Sequence, residues 1–250
     1  LMAKGAAADA LAAADRAVAL APDLAEAHLA RMSVLQAEKR VAEVVETASR
    51  VIAIAPDHVP ARTALFNTLL QNEDTGRALV EARQAQVAFP EVPVYAINLV
   101  RAHLAAGAEA DALVAADAAL ARWPRHFDLH FLRGQALMRL DRAAEALAAA
   151  RAAVAIEPQT PRGYNLAARA AIKADDIAYA VEAFRGLIAH GRNLGPAPHL
   201  EVTRLLLRQR RFAEALEAAD AAAAHGAGEA AGPLRERALA GLAQRQPQIS

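Results

Sequence analysis

Pro22, Pro56, Pro90, Pro124 and Pro158 stand 34 residues apart, so five of the chain's 12 prolines share one register. Proline has no N–H to give a helix interior and fixes its own φ, so each of these positions closes a helix. Such a spacing requires copies of one unit, each burying its apolar face against its neighbours. The clearest copy runs from Gly134 to Pro158, GQALMRLDRAAEALAAARAAVAIEP. It reads as a helix hairpin. The first helix ends near Leu140, a turn sits at Asp141-Arg142, and the second helix runs from about Ala143 to Ile156.

The side chains available suit close helix packing. Hydrophobic residues make up 55% of the 250-residue chain, much of that alanine, while aromatics contribute only 4%. Alanine is the best helix former and its side chain is small, so the fold class is all-α. Prolines and glycines fall mainly between the alanine-rich runs as punctuation. The 28 basic and 28 acidic residues cancel, against the basic excess a nucleic-acid interface needs. The absence of cysteine removes disulfides, thiolate metal sites and cysteine nucleophiles, and leaves the redox compartment open. No uninterrupted apolar stretch is long enough to span a membrane and no leader is visible, so the compartment stays open with the cytoplasm favoured. The bias to Arg over Lys, with abundant Ala, points to a GC-rich bacterial genome.

Superimposed, the copies share small residues at fixed places. The twentieth slot holds Ala10, Val44, Ala78, Ala112, Ala146, Ala180 and Ala215; the twenty-seventh holds Ala17, Val51, Ala85, Ala119, Ala153, Leu187 and Ala222. Small side chains there let neighbouring helices approach closely. The eleventh slot is mostly leucine, with His103 and Ala171 as departures. With proline at the thirty-second slot, the pattern resembles the tetratricopeptide repeat (TPR), and the resemblance covers nearly the whole chain. It implies a right-handed α-solenoid of helix hairpins. The fourth slot, aromatic in that family, departs from it in His28, Arg62, Ala96, His130 and His199.

In this register residues 1–24 form a partial first repeat, with Leu1 in the eleventh slot and Gly5 in the turn, so most of its first helix is missing. Six repeats follow, at 25–58, 59–92, 93–126, 127–160, 161–194 and 196–229. The segment HGRNLGPAP (190–198) absorbs a one-residue slip. Residues 230–250 supply a capping helix over about 230–244 and a frayed tail, QRQPQIS. Pro60, Pro93, Pro161 and Pro196 mark first-helix starts. Asp74, Asp141 and Asp175 sit where a carboxylate can cap a second helix.

The resemblance also implies that first helices line a concave groove through their second, fifth, sixth, ninth, twelfth and thirteenth slots. In the repeats at 25–58 and 59–92 these slots are polar to weakly apolar and almost uncharged. Later repeats project Arg101, Arg139, Arg162, Arg169, Lys173, Arg204 and Arg208 against only Asp128 and Glu201, with Asn98, Gln135 and Asn165 among them. A concave basic wall steers acidic partners, and arginine holds carboxylates in bidentate geometry. The expected partner is therefore an acidic peptide segment or protein. Thr63/Asn67 and Asn165/Arg169 do not match the Lys/Asn carboxylate clamp of chaperone-binding TPRs. Only Asn98 fits the asparagine ladder of the glycosyltransferase TPRs.

No residue set assembles a nucleophile, base and oxyanion donor, so no catalytic residue and no cofactor is assigned. His126 and His130 are four residues apart but lack a third ligand, so no metal is assigned either. The reading is a non-catalytic interaction scaffold. Two alternatives remain: the substrate-recognition array of a larger bacterial glycosyltransferase or sulfotransferase, and a self-assembling or periplasmic export scaffold, which would be a homo-oligomer.

Overall fold

A computed structural model describes residues 2–244, with side chains from Ala6 onward. Leu1 and the tail 245–250 lie outside the described residues. The described chain is helical without strands, and it forms two compact bodies that divide between Ala121 and Arg122.

The N-terminal body holds α1 (Met2–Leu20), α2 (Ala25–Ala37), α3 (Val41–Ile54), α4 (Val59–Gln71), α5 (Thr75–Ala88), α6 (Pro93–Ala105) and α7 (Glu109–Arg122). From α1 to α6 each helix packs on the next. Its core brings together Met32, Leu35, Val44, Ala48, Leu65, Phe66, Leu69, Ala78 and Ala82. The C-terminal body holds α8 (Phe127–Arg139), α9 (Ala143–Ile156), α10 (Pro161–Lys173), α11 (Ile177–His190), α12 (Ala197–Arg208), α13 (Phe212–Ala222) and α14 (Gly228–Ala243), again packed in succession. The last helix lies on both α12 and α13.

From α3 onward most of the small slots are buried. Ala78, Ala112, Ala146, Ala153, Ala180, Ala215 and Ala222 are fully buried. At Gly134 an added Cβ would come within 2.8 Å of Leu166 Cδ2, so a side chain there would force the end of Leu166 to shift. The second helices α3, α5, α7 and α9 each stop two residues before Pro56, Pro90, Pro124 and Pro158, because the pre-proline residue is pushed out of the helical region.

One turn joins the two helices of every hairpin. The amide of the sixteenth slot donates to the carbonyl of the eleventh at 2.9 Å in six hairpins: Arg40 to Leu35, Asp74 to Leu69, Ala108 to His103, Arg142 to Leu137, Asp176 to Ala171 and Arg211 to Leu206. This is the Schellman closure, which satisfies a carbonyl the helix end would orphan and requires a left-handed residue between. That residue is glycine only at Gly107 (φ 70°); Lys39, Glu73, Asp141, Asp175 and Arg210 adopt φ of 56–62°.

This geometry corrects two expectations. Asp141 and Asp175 do not cap helices, since both hold the left-handed position. The caps are Asp74, which accepts from the Arg77 amide, and Asp176, which accepts from the Tyr179 amide, each at 3.1 Å. Three other hairpins place arginine at the capping position and pair it with glutamate one turn on, as Arg40–Glu43, Arg142–Glu145 and Arg211–Glu214. The second correction concerns Gly5, which lies inside α1 rather than in a turn. A single glycine costs a helix about 1 kcal/mol, and the alanine-rich run that follows offsets it.

Candidate partner-binding site

Asn98 and Arg101 belong to the N-terminal body and do not present open groove chemistry. Asn98 is 2% exposed. Arg101 Nη1 donates to Asn67 Oδ1 at 3.0 Å and to Asn98 Oδ1 at 3.2 Å, and its guanidinium lies over the Phe66 ring. Asn98 is thus an interior acceptor for Arg101. It is buried on α6, which packs against α5 and α4. A separate cavity of about 510 Å³ in this body is lined by Gln36, Asn67, Thr68 and Gln71, with Lys39 its one charged wall residue.

The other eight candidates lie on α8, α10 and α12 of the C-terminal body. Five of them, Gln135, Arg139, Arg162, Asn165 and Arg169, line one cavity of about 350 Å³ between α8 and α10. Phe131, Met138 and Leu166 complete its wall. The site follows from the repeat itself. Phe131 and Asn165 share the fifth slot and Gln135 and Arg169 share the ninth, so the same face of two successive first helices meets across one opening.

Within the cavity the three arginines differ in freedom. Arg162 is fixed on three sides. Its guanidinium lies 4.5 Å from the Phe127 ring centre and 5.2 Å from that of Phe131, and Nη2 donates to Asp128 Oδ1 at 2.5 Å. The two rings are themselves stacked, 5.9 Å apart and 13° from parallel. Arg139 is exposed at the end of α8 and already has an interaction within the fold. Arg169 is exposed, and no hydrogen bond or ion pair among the described residues engages it.

The remaining cations lie outside the cavity and are met by acids. Lys173 Nζ reaches Asp141 Oδ1 at 2.6 Å and the Met138 carbonyl at 3.3 Å, a favourable place for a cation at a helix C-terminus. This contact holds the Asp141 carboxyl below the usual carboxylate range. Arg208 pairs with Asp175 at 3.2 Å, and Arg204 pairs with Glu201 one turn away. The basic wall expected from sequence is therefore largely neutralised, because the left-handed residues Asp141 and Asp175 swing onto it from the preceding hairpins. A comparison of slots finds Asp128 opposite Arg162, since 34 residues separate them. Asp141 and Asp175 escape it, being in the turn rather than among the groove slots. The apolar wall of Phe131, Met138 and Leu166 occupies groove slots too, but escapes a search for polar groups.

The fourth-slot side chains have a different task. His28 Nε2 lies 2.8 Å from the Pro22 carbonyl oxygen and His130 Nε2 lies 2.8 Å from that of Pro124. A carbonyl only accepts, so each Nε2 carries the proton. No group of three or more potential metal-ligating side chains occurs among the described residues. No helix among them is long and apolar enough to cross a membrane.

No protein-family model and no curated protein matches the sequence. Solved structures do resemble it. A chain of the APC/C hetero-tetramer Cut9-Hcn1 superposes with a TM-score of 0.62 at 16% identity over 94% of this chain, which spans only 47% of that one. YrrB, a TPR protein, gives 0.53 at 14% identity, with 80% of this chain and 98% of YrrB covered. The fold is that of tetratricopeptide-repeat proteins. MamA from Desulfovibrio magneticus RS-1 gives 0.54 at 16% identity, covering 76% of this chain and 96% of MamA. At these identities the likeness concerns the TPR fold alone. It agrees with the hairpin turns and small-residue contacts of both bodies.

Proposed function

We propose that this TPR-fold chain is a non-catalytic protein-interaction scaffold, and that its C-terminal body takes an acidic segment of a partner protein between α8 and α10. One observation carries this reading. Arg169 stands exposed, with no hydrogen bond or ion pair among the described residues, on a cavity whose other polar walls are Asn165, Gln135 and two further arginines. An unneutralised guanidinium beside two amides offers a carboxylate bidentate hydrogen bonds. Among the proteins of similar fold, YrrB is described as having an unusual peptide-binding site.

The test is an array of immobilised acidic peptides probed with the labelled chain. Retention by acidic sequences, lost in Arg169→Glu and kept in Arg50→Glu, supports the reading; Arg50 lies in the other body and pairs with Asp23. Equal retention of both variants contradicts it.

A further inference from the structure

We infer that the α8–α10 site selects a single carboxylate set beside a large apolar side chain, rather than a run of acids. This rests on the proposed acidic-segment reading and narrows it. Two features support the inference.

The first is the charge actually available. Lys173, Arg204 and Arg208 are engaged by Asp141, Glu201 and Asp175, and Arg162 by Asp128. A polyacidic ligand passing along α10 and α12 would have to displace each of these carboxylates and would meet their repulsion. Among the described cations of α10 and α12, Arg169 is the one that offers an incoming carboxylate an exposed guanidinium with no hydrogen bond or ion pair on it.

The second is the apolar wall. Phe131, Met138 and Leu166 face the same cavity as Arg169. Phe131 is held flat by its stacking on Phe127 and by the Arg162 guanidinium, so this part of the site is ordered before a ligand arrives. Methionine adapts to the shape of whatever apolar group enters. Asn165 and Gln135 can hold the intervening backbone amides, because each side-chain amide both donates and accepts. An acid followed by leucine or phenylalanine meets the Arg169 guanidinium, the apolar wall and the two amides within one or two residues.

The carboxylate could come from a glutamate side chain or from a chain terminus, so the test separates the two sources. Fluorescence anisotropy of the full chain is measured with four labelled peptides of neutral Gly/Ser background. One carries an internal Glu-Leu pair with blocked ends, and one carries Glu-Ser in its place. A third ends in leucine with a free carboxylate and holds no glutamate; the fourth is an oligoglutamate. The inference expects the Glu-Leu peptide, the free leucine terminus, or both, to bind about tenfold more tightly than Glu-Ser and oligoglutamate. That binding should fall about tenfold in Arg169→Gln and less than about twofold in Arg204→Gln or Arg208→Gln. Tightest binding by oligoglutamate, with equal losses in the three arginine variants, overturns the inference and leaves the acidic-segment reading standing. Failure of all four peptides to bind contradicts that reading itself. The arginines are exposed, so loss of fold does not confuse the comparison.

Discussion

Arg62 Nε donates to the carbonyl oxygen of Pro56 at 2.7 Å. The contact joins the fourth slot of one repeat to the closing proline of the repeat before it, as His28 joins Pro22 and His130 joins Pro124. In these three repeats a position that is aromatic in the resembled family is a hydrogen-bond donor, and the donor ties one hairpin to the end of the hairpin before it.

Arg62 also donates to Glu81 at 2.6 Å, and the two side chains are 10% and 12% exposed. Breaking a buried pair strands one charge, so Arg62→Ala or Glu81→Ala is expected to cost about 3–5 kcal/mol. The double variant Arg62→His, Glu81→Ala should recover most of that loss, because histidine restores the proline contact seen in two other repeats. Urea denaturation of the four proteins checks this. A double variant no more stable than either single variant would contradict it.

The hairpin turns predict a gain. Glu73 holds φ 59° and is exposed, with its neighbour Asp74 doing the capping. A non-glycine residue in the left-handed region costs about 1–2 kcal/mol. Glycine removes that cost and adds chain entropy to the unfolded state. Glu73→Gly should stabilise the N-terminal body by about 0.5–1 kcal/mol. Asp175→Gly should gain less, because it removes the contact to Arg208. A thermal melt showing Glu73→Gly less stable than the natural chain would contradict this account of the turns.

Close packing predicts a loss elsewhere. A Cβ on Gly186 would land on the Tyr164 ring, which stacks on His190 at 5.5 Å, and one on Gly241 would land on the Phe212 ring. In each case the ring must leave its place. Gly186→Ala and Gly241→Ala are each expected to cost about 1–3 kcal/mol by thermal denaturation. Gly232, with open space around its Cβ direction, should tolerate alanine.

These contrasts show where sequence suffices. The proline register and the alanine slots dictate the hairpins, down to α9 at Ala143–Ile156, because helix punctuation and close approach are local demands written at fixed spacing. The left-handed turns are less visible, since five of the six lack glycine and the Schellman bonds enforce the conformation on whatever residue stands there. Charge is the least legible. Asp141 and Asp175 read as caps, and only the stacked hairpins bring them to Lys173 and Arg208. Asn98 reads as a groove residue, yet it is buried on α6 and accepts from Arg101.

Acid should weaken the fold through two histidines. Burial pushes the His103 pKa below its ordinary value, with Asp111 partly opposing the shift. Burial and the neighbouring His225 ring, stacked 4.7 Å away, do the same to His199. Above about pH 6.5 both are neutral whether folded or not. As pH falls below that, the unfolded chain takes up protons that the folded chain refuses, so stability declines until the lowered pKa values are passed. Glu214 adds a later loss. Hydrogen bonds from Arg211 and Arg185 hold its pKa down to about 2, so its contribution is present above about 4.5 and disappears as pH falls through about 2. Melting temperatures at pH 7.5 and 5.5 should differ, with the lower value at 5.5. The difference should shrink in His199→Gln. A melting temperature that rises on acidification to 5.5 would contradict the assignment.

The central claim is that partners are read between α8 and α10, and two methionines provide its most direct test. Met138 lines that cavity, whereas Met32 is buried in the core of the N-terminal body. With the methionine methyl groups labelled with carbon-13, the Glu-Leu peptide is titrated into the full chain and followed by NMR. The Met138 methyl resonance should shift along the same saturation curve as the peptide's anisotropy, while that of Met32 stays in place. A peptide that binds to saturation with the Met138 resonance unmoved would contradict the claim.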